Sequence, residues 1–450
     1  MSFSQELVDL IIDELQDDEN TLINLSLVSH AWLLRSRTYL FQELCLLPTH
    51  QRKLNNVKIW SGEDMELHIQ TFIDLCSHPQ STIPNAGPKY IRLTPKPPYR
   101  TDLSPQDDRL RHKSVFLELL SWLSSPSSTV CREINDRTNT NTCNAERLFW
   151  NVRELRLLEF EPKNGLAHLN NILRLSPFPR VTHLYLCDVN TRSRKAFSDM
   201  LSMFPSLKYV YAGVWFDQVP IIQRPVAFPA SLTYVEISHR TSQSLHPSLF
   251  RILEACATLK HLTLPINFRK ESMFIEINQF LDTSISVKNR LLTQCKLVSH
   301  GLWFDRPTWA RSINFQKVPN WTIEAHPGAF LTLGTEDLVL PNVKQVILQD
   351  ALQRSNSDQL GQLDELFSNQ TRFPGIQEVT IHGVGFYSVA TLKISGWDER
   401  SMTVREGSEA HIDMETLSAM VRTMMPKCVK RGIFGFNFVY QRISVQPYSI

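Results

Sequence analysis

Side chains suited to covalent or metal chemistry are sparse in this chain. Cys256-x4-His261 and Cys295-x4-His300 are its paired Cys/His spacings, and four such ligands could in principle hold Zn²⁺. Their surroundings argue against it: Cys256 falls near an expected helix end and His261 inside an expected strand, where the hydrophobic period alone demands them. No metal and no cofactor are expected. G-x-S-x-G, G-x-x-x-x-G-K and H-E-x-x-H are all absent. Gly383-Val384-Gly385 and Gly432-x-x-Gly435 read as turns, and Lys427, Lys430 and Arg431 as a small solvated basic face. Without a nucleophile–base or metal constellation, an enzyme is disfavoured.

What remains is recognition. Segments spaced Φ-x-x-Φ-x-Φ read as strands, and the residues alternating with the apolar ones point to the opposite face. One column of such residues is Glu154, His183, Tyr209, Tyr234, His261, Gln345 and Glu378. The next is Arg156, Tyr185, Tyr211, Glu236, Thr263, Ile347 and Thr380. Tyr and Arg are enriched at protein interfaces because they join contact area to a polar tip. Tyr185, Tyr209, Tyr211 and Tyr234 are expected to form one patch. With Arg156, His183, Glu236 and His261 it makes a concave face for a target protein. The competing explanation is that Tyr simply suits strands.

The elements that must position these columns recur. Phe178-Pro179 precedes Val181, Leu184 and Leu186; Phe204-Pro205 precedes Leu207, Val210 and Ala212; Phe228-Pro229 precedes Leu232, Val235 and Ile237. Leu340-Pro341 precedes Val343, Val346 and Leu348, and Phe373-Pro374 precedes Ile376, Val379 and Ile381. Val152, Leu155, Leu157 and Leu259, Leu262, Leu264 lack the Pro. First positions at 152, 181, 207, 232 and 259 give steps of 29, 26, 25 and 27. Pro cannot continue a helix, so it ends one element before each strand. Helical periodicity fills the gaps at 166–175, 196–204 and 249–259. One strand and one helix per step is the leucine-rich-repeat plan, which stacks into a parallel sheet. Between 265 and 342 the period is obscure, with room for two degenerate repeats, and Trp303, Phe304, Trp309, Phe315 and Trp321 there read as core sooner than as a binding surface. Further strands are expected at 389–394 and 433–438, and a helix at 414–424.

The first 47 residues differ. Helices are expected over 6–15, 20–28 and from 31, then a strand over 41–46. Three helices in so short a span bury too little to stand alone, so they must dock. They either cap the repeat stack or meet a partner. Residues 48–150 are transitional, with helices at 66–76 and 114–123, a strand at 89–93 and a polar stretch at 124–144 that reads as a mobile surface loop, an insertion sooner than a phosphorylation site.

Phe3-Ser4-Gln5-Glu6-Leu7-Val8-Asp9-Leu10-Ile11-Ile12-Asp13-Glu14-Leu15, Leu22 to Val28, Trp32, Arg35-Ser36-Arg37 and Leu40-Phe41 resemble the F-box, and the whole chain is similar to fungal-type F-box proteins with degenerate leucine-rich repeats. Phe3-Ser4 stands where that family has Leu-Pro, and Ser4 is suited to cap the helix instead. The resemblance implies a substrate receptor of a Skp–cullin–F-box ubiquitin ligase. A Skp-family adaptor would lie on Phe3, Ser4, Glu6, Leu7, Ile11, Leu15, Leu22, Leu25, Val28 and Trp32, linking the chain to a cullin–RING ligase. The repeats would hold an unidentified target protein. The alternative is a repeat scaffold whose helices act only as a cap.

Bulk properties agree with a binding role. Lys plus Arg number 47 against 45 Asp plus Glu, a balance that argues against nucleic-acid or membrane-surface partners. No stretch reaches the roughly 18 apolar residues of a membrane span. The eight scattered Cys without C-x-x-C read as reduced thiols, pointing to cytoplasm or nucleus. The expected fold is therefore α/β: a three-helix F-box-like module over 1–47, a transitional region over 48–150, then an irregular leucine-rich-repeat-like solenoid with a parallel sheet over 151–450.

Overall fold

The structure is a computed structural model that describes residues 4–45, 52–53, 56–57, 62–78, 81, 83, 87–93, 106–125, 144–158, 160, 178–191, 194–216, 228–238, 247–266, 271–299, 309–331, 333, 338–349, 357–384, 419 and 422–439. Expectations for 126–143, 166–175, 389–394 and most of 414–424 lie outside these residues, as do Phe3, His300, Trp303 and Phe304. The chain forms two compact units, Met1–Thr233 and Tyr234–Ile450.

Unit 1 opens with α1 (Gln5–Glu14), α2 (Glu19–Val28) and α3 (His30–Leu40). Ser4 is the N-cap of α1, and Asp18 caps α2 by accepting from Thr21 N at 3.1 Å. Val8, Ile12 and Leu22 form a small core, against which Leu25, Trp32, Tyr39 and Leu40 pack. Arg35 grips Asp13 through Nε and Nη2, both at 2.7 Å, and Tyr39 Oη donates to the same carboxylate at 2.8 Å. The chain passes directly from α3 into β1 (Glu43–Cys45), which pairs in parallel with β4 (Tyr90–Leu93). The hairpin of β2 (Arg52–Lys53) and β3 (Asn56–Val57), α4 (Gly62–Ser77) and α5 (Gln106–Ser124) belong to the region between and after these strands. β5 (Glu154–Leu158), β6 (His183–Thr191) and β7 (Tyr209–Phe216) extend the parallel ladder in sequence order.

Inward residues of these strands are apolar and sealed: Ile91, Leu93, Leu155, Leu157, Leu184, Leu186, Val210 and Ala212 are all buried. The phrase before each strand makes a turn. Val181 N donates to Phe178 O at 3.4 Å and Leu207 N to Phe204 O at 3.1 Å, so Pro sits at the turn position where a fixed φ is favoured. The aromatic residue ahead of it goes inside, and Phe149, Phe178 and Phe204 form a continuous row with centroids 4.9 and 6.1 Å apart. Strand β6 carries a bulge at Asp188, whose φ is 55°, opposite Gly213, where a Cβ would lie 2.7 Å from Leu186 O.

Unit 2 repeats the plan. Its strands are β8 (Tyr234–Ile237), β9 (His261–Pro265), β10 (Gln294–Val298), β11 (Asn320–Ala325), β12 (Val343–Gln349), β13 (Glu378–Val384) and β14 (Phe434–Val439), each parallel to the next. Strands β10 and β11 are the two repeats hidden between 265 and 342. Trp309, Phe315 and Trp321 lie in the core, where Trp321 Nε1 donates to Phe315 O at 2.8 Å. The glycine expectation needs correcting. Gly432 is a turn residue with φ 70°, but Gly383 and Gly435 lie within strands. A Cβ on Gly435 would meet Glu378 Oε1 at 3.0 Å and Thr380 Oγ1 at 3.1 Å, so side chains leaning over from β13 exclude anything larger. The fold is thus α/β, an N-terminal helical segment followed by irregular leucine-rich-repeat-like stacking on a parallel sheet.

Candidate functional site

The outward columns of unit 1 form an aromatic–basic face. Glu154, His183 and Tyr209 are register partners in one row, and Arg156, Tyr185 and Tyr211 in the next. Tyr185 packs against Tyr209 at 5.3 Å and Tyr211 at 6.1 Å, and His183 against Tyr209 at 5.5 Å. Arg156 lies 5.1 Å over the Tyr185 ring, and its Nε donates to Glu154 at 2.6 Å. Two further members escape the repeat period. Tyr90 pairs with Glu154 and Arg92 with Arg156, so β4 continues both rows. Their step to β5 is 64 residues, which removed them from any 25–29-residue series, although the alternation Tyr90, Ile91, Arg92, Leu93 was visible.

The outward columns of unit 2 are largely satisfied among themselves. Tyr234 packs on His261 at 5.7 Å, and His261 Nδ1 lies 2.6 Å from Gln294 Oε1. Thr322 donates to Gln345 at 3.3 Å, Gln345 to Glu378 at 2.8 Å and Thr380 to Glu378 at 2.7 Å. Glu324 is buried, which raises its pKa, but Lys296 and Gln349 bind it directly and hold it below the usual carboxylate value. Glu236 is half-buried on β8. Tyr234, Glu236 and His261 therefore belong to unit 2, whereas Arg156, His183, Tyr185, Tyr209 and Tyr211 belong to unit 1.

The metal spacing does not converge. Cys256 and Cys295 are buried in the core, and burial pushes both thiols up, whereas His261 stands on the outward column. Among the described residues no group of three or more His, Cys, Asp or Glu could hold a metal ion. Within the basic cluster, Lys427 pairs with Glu365 and Arg431 donates to Phe367 O at 2.9 Å. No helix among the described residues is long and apolar enough to cross a membrane.

The N-terminal helices separate the ten expected adaptor positions. Leu22 is in the small core, with Leu25 and Trp32 packed against it. Ile11 and Leu15 are half-buried, while Ser4, Glu6, Leu7 and Val28 are exposed. The helices also expose Leu10 (62 %), Leu27 (77 %), Ile23 and Leu34, which are not among the ten expected adaptor positions.

No protein-family model matches the chain, and no curated protein matches it. Among solved structures, the leucine-rich repeat-containing protein LegL7 from Legionella pneumophila is similar, with 14 % identity, a TM-score of 0.39, and coverage of 78 % of this chain and 96 % of that one.

Proposed function

We propose that the chain is the substrate-recognition subunit of a Skp–cullin–F-box ubiquitin ligase, with α1–α3 binding a Skp-family adaptor and the outward sheet face binding a target protein. The observation that carries this reading is the exposure of Leu7, Leu10, Ile23, Leu27, Val28 and Leu34 on a segment of three short helices. So many large apolar side chains left in water on one small element mark a surface that meets a partner. The helix-in-groove mode, with a few buried anchors carrying most of the energy, suits such a surface. The second reading, a capped repeat scaffold binding a protein without a ligase, draws support from the hydrogen bonds of Lys89 N and Tyr90 N to Gln42 O, which tie the end of α3 into the sheet.

Co-purification with a Skp-family adaptor separates the two. Leu10→Asp/Leu27→Asp alters exposed positions and leaves the small core untouched, unlike any change at Leu22, Leu25 or Trp32. Capture by wild type and its loss in this variant, with an unchanged melting transition, is the expected result. Failure of folded wild type to capture the adaptor would leave the capped scaffold.

A further inference from the structure

We propose that the unit 1 face takes an acidic polypeptide segment, held by Arg92 and Arg156 over the tyrosine rows and by a basic rim along the N-terminal edge of the strands. This deepens the target-binding reading and rests on it. Arg92 and Arg156 are register partners on neighbouring strands, a like-charge pairing, and the acidic groups beside it, Glu154 and Glu43, act on Arg156. Arg156 already spends its charge on Glu154, at 2.6 Å through both Nε and Nη2. Among the described residues Arg92 has no such partner, and its Nε is covered from solvent with no acceptor among them. A buried donor left open on a binding face calls for an acceptor from outside. The rim adds charge of the same sign. Lys89, Arg153, Thr182, Lys208 and Thr233 follow one another across the edge, linked by backbone hydrogen bonds of 2.8–3.0 Å, and Arg180 stands beside them over Trp150 at 4.9 Å. Four of these six are basic in a chain whose net charge is only +2.

The rings favour peptide over nucleic acid. Base stacking needs an open aromatic face. Here Tyr185, Tyr209, Tyr211 and His183 are packed against one another at tilts of 31–48°, and Arg156 covers Tyr185. That arrangement leaves ring edges and hydroxyls, which suit a polypeptide's carboxylates and backbone.

The test pans a random peptide-display library on the full-length chain and then measures binding of resynthesised peptides by fluorescence anisotropy. The expected result is an excess of Asp and Glu among enriched peptides. Binding should fall about tenfold in Arg92→Gln/Arg156→Gln and in the exposed-rim variant Arg153→Glu/Lys208→Glu, with melting transitions kept. Replacing one Glu by phosphoserine assigns the anion's source: tighter binding points to phosphate, equal or weaker binding to carboxylate. Enriched peptides that need Tyr185 and Tyr211 but show no acidic excess would overturn the anion assignment and leave the protein-binding reading standing. Peptides insensitive to both the arginine and the tyrosine variants would sink both. Binding of a fifteen-residue oligothymidylate that is lost in the arginine variant, with no peptide so affected, would overturn the proposal in favour of nucleic acid.

Discussion

At Gly375 a Cβ would stand 2.1 Å from Pro341 O, a backbone atom that cannot rotate away. Gly375→Ala should therefore force the two turns apart and destabilise the protein by about 1–3 kcal/mol. Gly432→Ala meets no atom within 4 Å and carries only the strain of its positive φ, about 1 kcal/mol. Denaturant midpoints of the two variants should fall in that order, and equal effects would refute the steric argument. Asp13 makes a different prediction. The Arg35 guanidinium, then the Tyr39 hydroxyl, hold its carboxyl below the usual value. The folded chain thus binds this proton less readily than the unfolded one. The stabilisation is complete above about pH 4 and is lost as the pH falls through the lowered native value. Amide protection factors in α1 and α3, which correct for the intrinsic pH dependence of exchange, should fall across that acid window, and Asp13→Asn should remove the effect. Single residues were unevenly legible. Ser4 could be read as a cap because its chemistry is local. Arg92 could not be placed on the face, since its column depends on a partner strand 64 residues away.

Strands were the most legible elements, because Φ-x-x-Φ-x-Φ states which side is inside. The two repeats expected between 265 and 342, whose positions the sequence left open, obey the same rule: Leu292, Cys295 and Leu297, then Val318, Trp321 and Ile323, all sit buried. Their punctuation is what differs. The first has no preceding aromatic and enters its strand after Arg290 at φ 56°. The second keeps Phe315 three residues ahead, as Phe178 and Phe204 stand ahead of Val181 and Leu207, but has Gln316 where they have Pro, and its Pro319 falls after Val318. The core aromatic marks the second of these strands and leaves the first without any signal ahead of it. Helices were less legible, for they are short and their ends depend on distant groups. The helix Pro426–Lys430 shows why. Its N-terminal amides, Lys427 N and Cys428 N, donate to Asp364 at 2.9 and 2.7 Å, from 63 and 64 residues away. Asp364 is buried, so Asp364→Ala would leave two covered donors open and should cost about 1–2 kcal/mol. If this cap secures the entry to β14, amide protection over 434–439 should fall first in that variant; uniform loss across unit 2 would show that the cap has no local role.

Charge and apolar exposure divide at the scale of the whole chain, although the net charge of +2 conceals it. The exposed leucines of unit 1 lie on α1–α3, whereas its basic–aromatic face lies on β4 to β7 and carries Lys89, Arg92, Arg153, Arg156 and Lys208 at or beside these strands. A receptor that works by tethering needs only that each surface hold its own partner, because its contribution is effective concentration. Substitutions at surfaces that share no contacts should add independently. Leu10→Asp/Leu27→Asp should then abolish adaptor capture and leave peptide affinity within about twofold of wild type, and Arg92→Gln/Arg156→Gln should do the reverse. Each variant alone should abolish ubiquitin transfer to a target fused to the captured peptide in a reconstituted ligase. Salt should distinguish them as well. Raising ionic strength from about 0.1 to 1 M shortens the screening length from about 10 to 3 Å, which should weaken the peptide arm and spare the apolar adaptor arm. If both arms weaken together, or if either variant disturbs the other's binding, the two surfaces are one coupled site and simple tethering does not describe the molecule.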